Sequence, residues 1–203
     1  MTQSFIFATA NPHKLEEVKA MLPAHIRLRS LSDIGFSGDI PETEPTLEGN
    51  ALQKARYIFD RFGKPCFSDD TGLEVEALNG APGVYSARYA GATGSQEEKA
   101  QANMSKLLAE LSGIGNRKAR FRTVIAYMDA SGNAHLFEGT VNGAISEEPC
   151  GTTGFGYDPL FVPEGYDLCF AQMPLDEKNR ISHRARAFGK FADQLRMENE
   201  KHC

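Results

Sequence analysis

The opening of the chain constrains the fold most. Ser4–Ala8 (SFIFA) has the length and apolar character of a short buried strand. It runs almost directly into Asn11-Pro12, where asparagine is a strong helix N-cap and proline suits the first helical position. Leu15, Val18, Met21 and Leu22 then recur at helical spacing, and Pro23 predicts where that helix stops. A buried strand that turns straight into an amphipathic helix is the start of an α/β domain.

The rest of the chain extends that reading. Residues 31–46, rich in Gly, Pro and acids, read as a loop. A second helix places Leu47, Ala51, Ala55, Ile58 and Phe62 on one face and ends at Gly63. Pro65–Ser68 reads as a strand, Asp69-Asp70-Thr71-Gly72 as its end, and Leu73–Val75 as another strand. Residues 78–94 read as a long, ordered, glycine-containing loop. Ser95 and Glu98 form a capping box for a third helix, with Met104, Leu107, Leu108 and Leu111 facing inward. Phe121–Met128 alternates as a strand, and a turn at 129–133 leads to a partner at His135–Val141, so the sheet is expected to be mixed. After the glycine-rich loop 151–156, the last helix is expected to begin at Ser182 and to bury Ala185, Phe188, Ala192 and Leu195. It is expected to fray from about Glu198.

Length and composition narrow the function. The chain has 203 residues without repeats or a domain linker, which suits one domain or one domain with two lobes. With 22 Lys+Arg against 27 Asp+Glu the net charge is −5, which argues against a protein that holds duplex nucleic acid by its phosphates. Apolar runs are too short to span a bilayer, and the N-terminus lacks the pattern of a secretion signal, so no membrane partner is expected. Cys66, Cys150, Cys169 and Cys203 show neither C-x-x-C nor zinc spacing. They read as reduced thiols, and a cytoplasmic location follows by default.

Four constellations carry chemistry. The turn Thr9-Ala10-Asn11-Pro12-His13-Lys14 feeds a helix N-terminus, whose backbone N–H groups and dipole suit phosphate. A lysine there opposes the dipole and needs a reason; a capped surface helix with a solvated lysine is the plainer explanation. Asp69 and Asp70 follow a strand, where neighbouring side chains face opposite ways, so one carboxylate at most should enter a given site. Such acids suit Mg2+, with Glu42 or Glu44 as a second carboxylate, or else they cap an Asx-turn. In the run 151–159 (GTTGFGYDP), Phe155 could stack on a base, a contact worth about 1–3 kcal/mol, or tuck into the core. Lys178 with Ser182-His183-Arg184 gathers donors at a helix start, suited to phosphate or a carbonyl oxygen.

Taken together, TANPHK (9–14), SDDTGL (68–73), GAPGVYSARYAG (80–91), FGYDP (155–159) and SHR (182–184) resemble, in order, the inosine triphosphate pyrophosphatase family of non-canonical purine nucleoside triphosphate pyrophosphatases. The resemblance implies a two-lobed α/β fold with a long mixed β-sheet flanked by helices and a central cleft. It implies Mg2+-dependent hydrolysis of ITP, dITP and XTP to the monophosphate and pyrophosphate, in a cytosolic homodimer. By position, Thr9, Asn11 and Lys14 within the 9–14 turn would bind the triphosphate, assisted by Lys54. Asp70 would be the catalytic carboxylate and a metal ligand, and Glu42 the second metal contact, with Glu44 as the alternative. Thr71 would touch substrate beside Asp70. Phe155, Gly156, Tyr157 and Asp158 would frame the nucleoside, while Lys178, His183 and Arg184 would read the base. The chain departs from many members in carrying Ala10 in place of glycine.

The chemistry is consistent with that resemblance. Mg2+ and lysines neutralise phosphoryl charge, and a carboxylate that orients or deprotonates water is worth about 10²–10⁴-fold. With no Ser/His/Asp triad or activated cysteine apparent, direct attack by water is favoured over a covalent intermediate. Donors facing the 6-oxo group of hypoxanthine or xanthine would be left unpaired against adenine, at a cost of about 1–3 kcal/mol. A donor facing C2 would oppose the amine of guanine. Two competitors remain: a pyrophosphatase with another base filter, and a nucleotide sensor without turnover.

Overall fold

The computed structural model describes residues 3–22 and 26–200. Pro23 and Cys203, which enter the sequence expectations, lie outside the described residues. The chain runs β1 (Gln3–Phe7), α1 (Pro12–Met21), β2 (Ile26–Arg29), α2 (Leu47–Phe62), β3 (Cys66–Val75), β4 (Pro82–Gly83), α3 (Gln96–Glu110), β5 (Lys118–Met128), β6 (Ala134–Ile145), β7 (Phe161–Pro163), α4 (Leu175–Ile181) and α5 (His183–Glu200). Among the described residues the strands pair in the order β2-β1-β3-β5-β6-β7, with β4 on β3. The β1–β2 and β1–β3 pairs are parallel, whereas β3–β4 and β6–β7 are antiparallel. The fold is therefore α/β with a mixed sheet and flanking helices.

Local signals explain the helix boundaries. Asn11 caps α1 by accepting from the backbone N–H groups of His13 and Lys14, with Pro12 at the first helical position. Thr46 caps α2, which stops at Gly63, and Ser95 with Glu98 forms the reciprocal capping box of α3.

The chain forms two compact units. The first comprises residues 1–70, 123–139 and 184–203. Its core joins Phe5, Phe7 and Phe67 from the strands to Val18 of α1 and Phe188, Phe191 and Leu195 of α5. Phe7 stacks on Phe67 with ring centroids 4.6 Å apart. The second comprises residues 71–122 and 140–183 and packs Leu73, Val75, Met104, Leu107, Phe121, Val141, Phe161 and Phe170 together.

Several expectations need correction. β3 is one continuous strand, so Asp69 and Asp70 lie within it, and neither an intervening break nor an Asx-turn exists. β2, β7 and α4 are not anticipated by the sequence reading. β2 and β7 are too short for periodicity to declare, and α4 has seven residues with little apolar pattern. Ser182 is the C-cap of α4, and α5 begins one residue later and stays helical to Glu200. α5 buries Ala187, Phe188, Phe191 and Leu195, with Ala185 and Ala192 only half-buried. Finally, Cys150 and Cys169 lie side by side, their Cα atoms 6.4 Å apart. Nineteen residues separate them in sequence, so only tertiary folding reveals their proximity. Cys66 is buried, which pushes its thiol pKa up to about 12.

Candidate active site

In the first unit, β3 aims its two adjacent acids at different partners, as strand alternation requires. Asp69 is buried against Lys14, whose Nζ stands 3.0 Å from both carboxylate oxygens, and accepts from Arg184 Nε at 3.3 Å. Arg184 also pairs through Nη1 with Glu17, one turn into α1. The lysine that opposes its helix dipole therefore has its reason: it belongs to a buried chain of alternating charges, Lys14–Asp69–Arg184–Glu17.

Asp70 faces α2. Its Oδ1 accepts from Lys54 Nζ at 3.1 Å and its Oδ2 from Asn50 Nδ2 at 3.3 Å. Asn50 and Lys54 are four residues apart, hence on one face of the helix. Lys54 Nζ also reaches Glu42 Oε1 at 2.5 Å, so a single ammonium bridges Asp70 and Glu42. Glu44 is exposed and contributes its backbone N–H, donated to Asn50 Oδ1 at 2.9 Å.

These environments separate the two carboxylates. Burial alone would raise the Asp69 pKa, but Lys14, Arg184 and Lys54 outweigh it and hold the group below the usual carboxylate range. For Asp70 burial prevails and, with Glu42 adding to it, keeps the pKa above its ordinary value despite Lys54 and Lys14. Lys14 is pushed down by burial against the pull of Asp69. Lys54, equally subject to burial, is raised because Asp70, Glu42 and Asp69 all favour its charge.

Asp70 and Glu42 supply hard carboxylate oxygens, and among the described residues no third His, Cys, Asp or Glu joins them in a metal-binding cluster. Two carboxylates, with remaining positions left to water and phosphate oxygens, fit Mg2+ rather than zinc. The neighbouring turn is ordered locally: Thr9 Oγ1 accepts from the Asn11 backbone N–H at 3.2 Å. Ala10 and Pro12 are exposed there, and His13 is half-buried. Thr71, the residue after Asp70, is half-buried and belongs to the second unit.

Within the second unit, Asp158 organises the glycine-rich loop. Its Oδ2 accepts from the Phe155 backbone N–H at 2.8 Å and from Lys178 Nζ at 2.7 Å. Gly154, at φ +76°, lies so close that a Cβ there would meet Asp158 Oδ2 at 2.3 Å, so this turn requires glycine. Lys178, buried on α4, sits 5.1 Å above the half-buried Phe155 ring, with the half-buried Gly156 beside it. His183 stacks on Phe121 at 4.6 Å.

Two of the expected site residues are tied into the interior. Tyr157 is buried and its hydroxyl donates to the Ser86 carbonyl, so it supports the loop from within the core. Arg184, expected among the donors that read the base, is buried between two carboxylates of the first unit. The sequence reading passes over Glu17 and Asn50; polar residues interrupting the apolar faces of α1 and α2 are the signal that could have found them.

Residues 5–194 match the profile of the Ham1 family. The chain is 53% identical over 194 residues to the dITP/XTP pyrophosphatase of Porphyromonas gingivalis, covering 95% of this chain and 97% of that one. It is 52% identical over 190 residues to the dITP/XTP pyrophosphatase of Christiangramia forsetii, covering 94% and 97% respectively. Among solved structures, the Ham1 protein of Staphylococcus aureus superposes with a TM-score of 0.86 at 36% identity, covering 97% of this chain and 100% of that one. The dITP/XTP pyrophosphatase of Mycobacterium abscessus gives 0.74 at 40% identity, covering 93% and 98%. On the profile match and the near full-length identity, the chain belongs to the Ham1 family.

Proposed function

We propose that the protein is a nucleoside triphosphate pyrophosphatase that hydrolyses dITP, ITP and XTP to the monophosphate and pyrophosphate, removing deaminated purines from the nucleotide pool. The relatives' names support the reaction class. The observation that carries the mechanism is Asp70: a buried carboxylate with a raised pKa, gripped on each oxygen by a donor from α2 and sharing Lys54 with Glu42. A carboxylate so placed is suited to orient water for attack at the α-phosphorus and to accept its proton.

Lys14 and the N-terminus of α1 hold the triphosphate, with Thr9, Asn11 and Lys54 assisting, and Thr71 touches substrate beside Asp70. Asp70 and Glu42 would hold Mg2+, which supplies charge neutralisation at the phosphoryl oxygens. Phe155 offers a ring to the base, and Asp158 with Gly156 and Tyr157 fixes the loop that carries it. Lys178, His183 and Arg184 supply donors for the 6-oxo group, with Glu17 and Asp69 setting the plane of Arg184. A donor facing C2, such as a backbone N–H, would oppose the amine of guanine. We further propose that the two units are the lobes of one domain, and that the protein works in the cytosol as a homodimer, testable by light scattering.

The experiment is product analysis on dITP, ITP, XTP, GTP, ATP and dTTP with Mg2+, scoring pyrophosphate and orthophosphate separately. Pyrophosphate from dITP, ITP and XTP, with GTP and ATP near background, is the expected result. Comparable rates on GTP and ITP defeat the C2 filter, and orthophosphate as the first product defeats attack at the α-phosphorus. Asp70→Asn should bind ITP without turning it over, whereas ITP binding without turnover in the wild type would make the protein a sensor.

A further inference from the structure

Asn50 is fully buried in α2 and uses both ends of its amide. Its Oδ1 accepts from the Glu44 backbone N–H at 2.9 Å, and its Nδ2 donates to Asp70 Oδ2 at 3.3 Å. The orientation is chemically determined, because a backbone N–H can only donate. Oδ1 must face Glu44, which leaves the NH2 group for the carboxylate. Asn50 therefore ties together the acidic loop that carries Glu42 and the strand that carries Asp70. Lys54, one turn further along the same face, makes a second link between the same two segments through Glu42 Oε1 and Asp70 Oδ1.

A second observation shows that the loop is built to lie on this turn of helix. A Cβ at Gly49 would stand 2.6 Å from Glu44 Cβ, so the helix carries glycine where a side chain would push the loop away. Glycine inside a helix costs about 0.5–1 kcal/mol relative to alanine, which makes the close approach itself the reason for its presence.

We propose that Asn50 is a positioning residue for the hydrolytic reaction. Its amide fixes the rotation of the Asp70 carboxylate and the place of the Glu42 loop, so that Oδ2 is held by a neutral donor while Oδ1 faces the Lys54 cation. The inference rests on Asp70 being the catalytic carboxylate, as proposed above. A freely rotating carboxylate would present the wrong lone pair to water for part of the time. The loss should therefore fall on kcat, with KM changed little, since Asn50 touches no substrate in this assignment.

The test compares wild type, Asp70→Asn, Asn50→Asp and Asn50→Ala in steady-state hydrolysis of ITP, with thermal melts to confirm folding. Asn50→Asp keeps an acceptor for Glu44 but replaces the donor to Asp70 with a like charge, while Asn50→Ala removes both contacts. The expected result is a kcat lowered by about 10–100-fold in both variants, the size of one hydrogen bond to a charged group, with KM within about threefold of wild type. Full recovery of kcat in Asn50→Asp would reduce Asn50 to a loop anchor and overturn the proposal, as would a loss confined to KM. Nitrogen-15 spectra give a reading that does not depend on variants at position 50. The Asn50 NH2 signals of the otherwise unaltered chain should move in Asp70→Asn, and unmoved signals would also overturn the proposal. If Asp70→Asn turns over like wild type, the catalytic assignment itself has failed. If it is inactive while both Asn50 variants keep wild-type kcat, the positioning role alone has failed.

Discussion

At the residue scale, Asp69 and Asp70 show how one peptide bond separates two kinds of carboxylate. Asp69 meets Lys14 and Arg184, and its charge is favoured; Asp70 meets Lys54, the neutral Asn50 and the nearby Glu42, and its charge is less favoured. Asp69→Ala would leave two buried cations short of an anion, so we expect a loss of about 3–5 kcal/mol in chemical denaturation at pH 7. Because the folded pKa of Asp69 is depressed, its contribution is present above the unfolded value of about 4 and is lost as pH falls towards the lower folded value. The stability gap between wild type and Asp69→Ala should accordingly shrink below about pH 4, and a gap that widens there would contradict the assignment. Lys14→Ala keeps the Arg184 partner of Asp69 but removes a triphosphate cation, so ITP KM should rise by about 10-fold or more, the size of a lost charge-assisted contact.

At the element scale, short-range rules set where helices begin, and longer-range contacts set what the loops do. The capping box of α3 pairs Ser95 Oγ with the Glu98 N–H and Glu98 Oε2 with the Ser95 N–H. Ser95→Ala should cost about 1 kcal/mol, read from urea midpoints at unchanged slope. The loop between Cys150 and Cys169, 19 residues apart in sequence, carries Phe155 and Asp158 and brings the two cysteines together at its base. The element pattern was legible wherever a signal was local: α1 at Asn11-Pro12, α2 ending at Gly63, and α3 at its capping box. β3 was misread because its polar stretch SDDT carries no apolar alternation. Burial of those polar groups is made affordable by cations that lie elsewhere in the sequence.

At the scale of the whole molecule, the division into two units does not follow chain order. It falls within β3 after Asp70, within β5 after Arg122 and within β6 after Gly139. Cutting the chain there would break strands in mid-course and leave their backbone N–H and C=O groups unpaired. A fragment of residues 71–183 should therefore fail to fold. The full chain should unfold in one transition, with far-UV circular dichroism and tyrosine fluorescence coinciding, since the sequence holds no tryptophan. Separate transitions for the two probes would show that the units unfold independently.

The sequence alone determined what depends on neighbours along the chain: the α/β opening, the helix caps, the mixed-sheet hairpin, and a set of motifs specific enough to point to a family. It also indicated that adjacent strand acids would face different ways. Tertiary structure alone decided which partners those acids meet, because Lys14, Arg184, Asn50 and Lys54 come from helices far away in sequence. It likewise brought Cys150 beside Cys169 and turned Tyr157 inward to Ser86. The physical reason is the same in each case. Propensity and capping act over a few residues, whereas the desolvation of a buried charge or hydroxyl is compensated only by whatever the fold brings beside it.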